Sequence, residues 1–165
     1  PTFTFIHFLI PHPPFIFDRY GNCSKNINLN LTGDVWKLKE PYIEQLLFTN
    51  KKVEILIDNI LSNSSTPPII IIQGDHGTCS ALTNLSEWDN PTPEIIKERT
   101  GILNTYFFPG KGKDYLYDCI SPVNTFRLLF NIYFNADYEL LEDKTFFSSY
   151  EHPYKFTDVT TECTQ

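Results

Sequence analysis

The opening stretch, TFTFIHFLI at residues 2–10, is apolar on both faces and rich in aromatic and β-branched side chains. That pattern predicts a strand buried on both sides, as in a parallel sheet. Pro11, Pro13 and Pro14 end it, because proline cannot donate to a ladder. Residues 15–39 are polar and rich in Asn, with Gly21 and Gly33, and predict a long excursion of the kind that is commonly functional or disordered. Residues 40–63 predict a helix. Ile43, Leu46, Leu47, Val53, Leu56, Ile57, Ile60 and Leu61 recur at helical spacing, with Lys51, Lys52, Glu54 and Asp58 off the stripe. Pro41 suits the first turn. NSSTPP at 63–68 is a stop, and 69–73 predict a second buried strand that delivers Gly74-Asp75-His76-Gly77 at its carboxyl end. Strand, helix and strand in this order predict a right-handed βαβ unit with its two strands parallel.

Residues 78–93 read as loop, 93–99 as a short helix and 102–108 as a third strand closed by Pro109-Gly110. After a connector at 111–121, residues 122–134 predict a helix whose stripe of Val123, Phe126, Leu129, Phe130 and Tyr133 is expected to face the core. The tail from Tyr138 is aromatic and irregular, with a short strand expected at 154–159. No internal repeat, low-complexity tract or domain boundary interrupts this order. The whole chain is expected to be one piece of an α/β domain with a largely parallel sheet.

Composition narrows the function classes. Of 165 residues, 41% are hydrophobic and 20% charged, enough apolar material for a packed core. Aromatic residues make up 15%, so the core is expected to be dense with rings. The net charge of −7 argues against nucleic acid as a partner, which would want a basic face. It leaves an anionic substrate open, because a bound metal reverses the local field. The longest aliphatic block, residues 69–72, is far below the roughly 20 residues that cross a bilayer. No signal-peptide pattern is visible in these residues, and the chain is expected to be part of something longer. Cys23, Cys79, Cys119 and Cys163 are widely spaced, with no C-x-x-C pair, and their disulfide pairing stays open. Sequons at Asn22, Asn30, Asn63 and Asn84 are a weak sign of secretion.

The chemistry concentrates at Asp75 and His76. An adjacent carboxylate and imidazole at the carboxyl end of a strand lie where open α/β sheets bind ligands. Their donors suit Zn or Mn better than Ca or Mg. Glycine on either side lets the backbone turn sharply and approach a ligand. The plainer reading is an Asp that caps the turn beside a hydrogen-bonded His.

The stretch PIIIIQGDHG at 68–77 resembles the metal-binding strand of the alkaline phosphatase and sulfatase superfamily. FIHFLIPHPPF at 5–15 resembles the H-x-P segment that follows an earlier core strand in its sulfatase-like members. Their order and separation agree, and with ILNTYFFP and SPVNTFRLLFN the chain looks like the C-terminal part of bacterial sulfatase-like, lipoteichoic acid synthase-like membrane proteins. The resemblance implies a three-layer αβα fold of alkaline-phosphatase type, with residues 1–165 as the C-terminal portion of the catalytic domain. It implies a hydrolase or transferase acting on phosphate or sulfate esters. Asp75 and His76 would hold a divalent metal ion, Mn or Zn favoured and Ca or Mg less so. His12 would contact the transferring group. The nucleophile (a Thr, Ser or formylglycine in relatives) has no match here, because Thr78 and Ser80 stand where the family places none and Cys79 lacks a C-x-P-x-R context. Relatives carry membrane helices before this domain and place it outside the cytoplasm, so membrane association would come from segments not in this chain. The alternative is a non-catalytic remnant that binds a ligand or partner.

Other polar residues read more plainly. His7 is expected to be a core histidine, His152 a surface one with a contribution to a site as the alternative, and Arg127 half of a structural ion pair with anion recognition as the alternative. Lys111 and Lys113 flank glycines without a Walker pattern. Asp18 is a loop anchor or a substrate contact.

Overall fold

The computed structural model describes residues 2–25, 27–29 and 33–160, so the sequon at Asn30 and Cys163 lie outside the described residues. Contacts divide the chain into two compact units, Pro1–Asn63 and Ser64–Gln165.

In the first unit, helix α1 (Lys39–Asn63) follows a short 3-10 helix, Gly33–Lys37. The N-terminal half of α1 carries the packing, and its organiser is polar. Gln45 is almost wholly buried, and its Oε1 accepts from the backbone N–H of Ile16 at 2.8 Å and of Phe17 at 3.2 Å. Its Nε2 donates to the carbonyls of His12, at 3.3 Å, and Pro14. One carboxamide thus satisfies backbone groups of an extended run whose only ladder contact among the described residues is the antiparallel bridge of Phe17 with Cys23. Phe15 is buried with its ring edge-on to Tyr42, and Phe17 lies against Phe48. Asp18 closes the turn that follows by accepting from the backbone of Tyr20 and Asn22 and from the Asn22 side chain. These bonds give it the role of a loop anchor. Gly21 has φ +86° with the Phe48 ring against its Cα, a position a side chain could not take. Arg19 pairs with Glu44, its Nε 2.7 Å from Oε1. From Val53 onward no residue of α1 is buried.

Residues 2–9 do not form the expected strand. They form no β-ladder among the described residues and are exposed throughout, Phe3 and Phe5 at 79% each. His7 is therefore exposed and not a core histidine.

The second unit holds two antiparallel two-stranded sheets. β1 (Ile70–Gln73) pairs with β2 (Asn104–Phe107), Ile70 opposite Phe107 and Gln73 opposite Asn104. β3 (Phe146–Phe147) pairs with β4 (Thr157–Asp158). Helix α2 (Pro93–Thr100) lies between β1 and β2 in sequence. Thr92 caps it, accepting from the N–H of Ile95. Ladder pairing of β1 is thus antiparallel where the sequence suggested a parallel βαβ neighbour, and no parallel pair occurs among the described residues. A β2 strand reached through the short α2 return pairs locally, at lower loop-closure cost than a partner more than sixty residues earlier in the chain.

Helix α3 (Pro122–Phe134) has the predicted bounds but the opposite inward face. Asn124 and Thr125 are completely buried and Leu128 nearly so, whereas Val123, Phe126 and Phe130 are 40–47% exposed. The buried polar groups have exact partners in their neighbours. Thr125 Oγ1 meets Tyr106 Oη at 2.8 Å and Gln73 Nε2 at 3.2 Å. Asn124 Nδ2 donates to the Leu141 carbonyl at 2.8 Å and to Asp143 Oδ1 at 3.0 Å, and its Oδ1 accepts from Leu141 N–H at 2.9 Å. Asp143 also takes the hydroxyls of Ser121 and Tyr117 and the backbone N–H of Ser121. Burial pushes the Asp143 carboxyl up, but these four donors outweigh it and hold the group below its ordinary value. The Tyr117 phenol is pushed up to about 12, first by burial and then by its bond to Asp143. Cys119 is disulfide-bonded, Cys23 is a free exposed thiol and Cys79 a free buried one. No helix among the described residues is long and apolar enough to cross a membrane.

Candidate functional site

The loop after β1 is fixed at both ends by backbone bonds. Gly74 N–H donates to the Leu103 carbonyl at 2.8 Å, extending the β1–β2 ladder by one residue. Gly77 N–H donates to the Arg99 carbonyl at 2.8 Å, docking the loop on the last turn of α2. A Cβ on Gly77 would overlap the carbonyl oxygen of Glu98 and press on that of Gly101, so only glycine fits this approach. Glu98 secures the next stretch, accepting from Ser80 Oγ at 2.6 Å and from Ala81 N–H at 2.9 Å. Cys79 is buried between these anchors, and burial pushes its thiol up, which keeps it protonated and unreactive.

Asp75 and His76 lie between the two anchors and converge. Asp75 Oδ1 accepts from the His76 backbone N–H at 2.9 Å, and Oδ2 is 3.5 Å from His76 Nε2. The Asp75 side chain is largely exposed and that of His76 about one-third exposed. On its other edge, His76 Nδ1 is 2.7 Å from Arg99 Nη1 and 3.0 Å from the Gly77 carbonyl, to which Arg99 Nη1 also donates. The Arg99 guanidinium sits 5.7 Å over the Trp88 ring. Burial pushes the Arg99 guanidinium down from its ordinary value, and the nearby Asp75 carboxylate opposes that shift.

The donor types, an imidazole nitrogen and a carboxylate oxygen 3.5 Å apart, are those a divalent cation takes. They amount to half of a four-ligand shell. No group of three or more His, Cys, Asp and Glu that could hold a metal occurs among the described residues. Further ligands would have to be water, substrate or other protein segments.

His12 belongs to the first unit, whereas Asp75 and His76 belong to the second. It is exposed, its ring edge-on to Trp36 at 4.9 Å, and its Nδ1 is 2.6 Å from the Pro13 carbonyl. The adjoining Ile10–Pro11 and Pro13–Pro14 peptides are cis. With Nδ1–H given to Pro13, the Nε2 of a neutral His12 is an acceptor. It would donate to an anion only as the imidazolium.

Two features escaped the sequence reading. Arg99 had no motif around it, and its proximity to His76 comes from α2 folding back on the loop. The second is a cavity of about 300 Å³ bordered by Trp88, Asp89, Ile96, Phe147, His152 and Lys155. There Asp89 Oδ1 accepts from Ser149 Oγ at 2.6 Å and lies 3.2 Å from His152 Nδ1. The Ser149 bond, then that of His152, holds the Asp89 carboxyl low. The trio is not a nucleophilic triad, since the Ser149 hydroxyl donates to the carboxylate and not to the imidazole. It ties the β3–β4 segment to the loop before α2. Arg127 donates to the Glu139 carbonyl at 2.8 Å, a structural contact to backbone and not an ion pair. Lys111 and Lys113 lie in a 3-10 helix, Gly110–Tyr115, rather than a phosphate loop.

Comparison of the chain with protein-family models, with curated proteins and with solved structures found no match.

Proposed function

We propose that Asp75 and His76 are two ligands of a divalent cation in a hydrolase or transferase that acts on phosphate or sulfate esters. The observation that carries this reading is the convergence of His76 Nε2 and Asp75 Oδ2, 3.5 Å apart, on a loop pinned at the carboxyl end of β1. The resemblance of PIIIIQGDHG and FIHFLIPHPPF to the alkaline phosphatase and sulfatase superfamily supplies the reaction class, with Mn or Zn favoured over Ca or Mg. On this reading the chain is the C-terminal part of a three-layer αβα domain whose parallel sheet takes in strands other than β1 and β2. It is held outside the cytoplasm by membrane segments that are not among these residues.

Each residue then has a limited task. Asp75 and His76 hold the cation, which when bound supplies charge to polarise the ester and to activate a nucleophile. Gly77 sets the close approach of the loop to α2, so both donors are held by backbone anchors. No residue of this chain matches the family's nucleophile.

The test is calorimetric titration of the protein with Mn2+ and Zn2+, compared with Asp75→Asn and His76→Gln. Binding that weakens at least tenfold in each variant is expected, with unchanged circular dichroism. Equal binding by all three proteins would remove Asp75 and His76 from the site. A second reading, a ligand-binding module without catalysis, is favoured by the two-donor limit of the site among the described residues. Cation binding without turnover of p-nitrophenyl phosphate or sulfate by the intact protein would select it.

A further inference from the structure

We infer that Arg99 and a divalent cation compete for His76, so that cation binding must expel the Arg99 guanidinium from the imidazole. The inference rests on the assignment of Asp75 and His76 as cation ligands and adds a latch to that site.

A neutral imidazole has one N–H donor and one acceptor nitrogen. A guanidinium can only donate. With Arg99 Nη1 at 2.7 Å, His76 Nδ1 must therefore be the acceptor and the proton must sit on Nε2. The Nη1 hydrogens then serve two acceptors at once, Nδ1 and the Gly77 carbonyl at 3.0 Å. In this state Nε2–H faces Asp75 Oδ2 and has no lone pair for a metal.

Ligation through Nε2 needs the other tautomer. Nε2 loses its proton to solvent and Nδ1 gains one, with no net change in protonation. The new Nδ1–H has an acceptor already in place, the Gly77 carbonyl 3.0 Å away. Metal-bound histidines typically anchor their second nitrogen on a carbonyl in this way. Nδ1–H and the Arg99 N–H cannot then point at each other, so the guanidinium has to withdraw from Nδ1. The Trp88 ring gives it a surface to stay on. The site is thus latched by Arg99 when no cation is present and opened by the cation.

Two measurements test this. Nitrogen-15 spectra of the histidines in the wild-type protein, with and without Zn2+, report which ring nitrogen of His76 carries the proton. The expected result is a bare Nδ1 without the cation and a protonated Nδ1 with it. Calorimetry on Arg99→Met, which keeps an apolar stem over Trp88 but removes every donor, should show Zn2+ binding about tenfold tighter than wild type, the scale of one charged hydrogen bond released. A protonated Nδ1 in the cation-free wild type, or equal affinity in the two proteins, overturns the latch and leaves the ligand assignment standing. Zn2+ bound by neither protein overturns both. The wild-type spectra decide the matter even if Arg99→Met fails to fold.

Discussion

Replacing Asn124 by alanine should cost more than replacing Phe126, two residues away on the same helix, although hydrophobicity alone orders them the other way. Asn124 has no exposed surface, and its carboxamide ties α3 to the irregular segment at 141–143 and to Tyr117 through four contacts of 2.8–3.2 Å. Two of these go to the Leu141 backbone, one to the Asp143 carboxylate and one, the longest, to Tyr117 Oη. Neutral bonds contribute about 1 kcal/mol each and a charged one about 2 kcal/mol. Asp143 keeps its other donors and Leu141 can recruit water, so the expected loss is about 3 kcal/mol. Phe126 is 43% exposed and packs only on Phe130 among the described rings, so its truncation should cost about 1 kcal/mol or less. The assay is urea unfolding followed by tryptophan fluorescence in a Trp36→Phe background, which leaves Trp88 to report on the second unit alone. With a slope of roughly 1.5–2 kcal/mol per molar, Asn124→Ala should lower the midpoint by about 1.5–2 M. Equal losses, or a larger loss for Phe126→Ala, would refute the claim that α3 is held by its polar face.

Gly77→Ala should strip the loop from α2, because the new Cβ meets the Glu98 carbonyl, which is helix backbone and cannot yield. Loss of cation binding together with a fall of about 2 kcal/mol or more in stability is expected, and wild-type titration curves would contradict it. The Asp143 carboxyl ionises at lower pH folded than unfolded, so its contribution is complete above the unfolded value near 3.8 and is lost as pH falls through the lower folded value. Asp143→Asn should therefore flatten the acid limb of a stability–pH curve, and an unchanged limb would count against the cluster. Tyr117 has the opposite sign: its phenol, held up to about 12, contributes fully below pH 10 and loses that contribution as pH rises through the folded value, visible as a late step in ultraviolet titration. Ellman's reagent should label Cys23 at once and Cys79 only on unfolding, since one thiol is exposed and the other buried; prompt release of two equivalents would show that the second unit opens readily.

Much of the element order was legible without coordinates. The helices at 39–63, 93–100 and 122–134 follow from apolar spacing, an N-terminal proline or a threonine cap, all properties within a few residues of one another. Asp75 and His76 were legible for the same reason, since adjacency in the backbone and a preceding run of isoleucines already bring two donors to a strand end. Which strand β1 pairs with, and which face of α3 turns inward, depended on partners far along the chain. The exposed run at 2–9 has the composition of a core strand and no ladder partner among the described residues. Asn124 and Thr125 look like surface residues until Leu141, Asp143, Tyr106 and Gln73 are in place around them. Arg99 enters the site only because α2 packs its last turn against the loop. Local spacing determines what a segment can become; long-range hydrogen-bond partners and burial decide which face is satisfied, and only the folded chain supplies those.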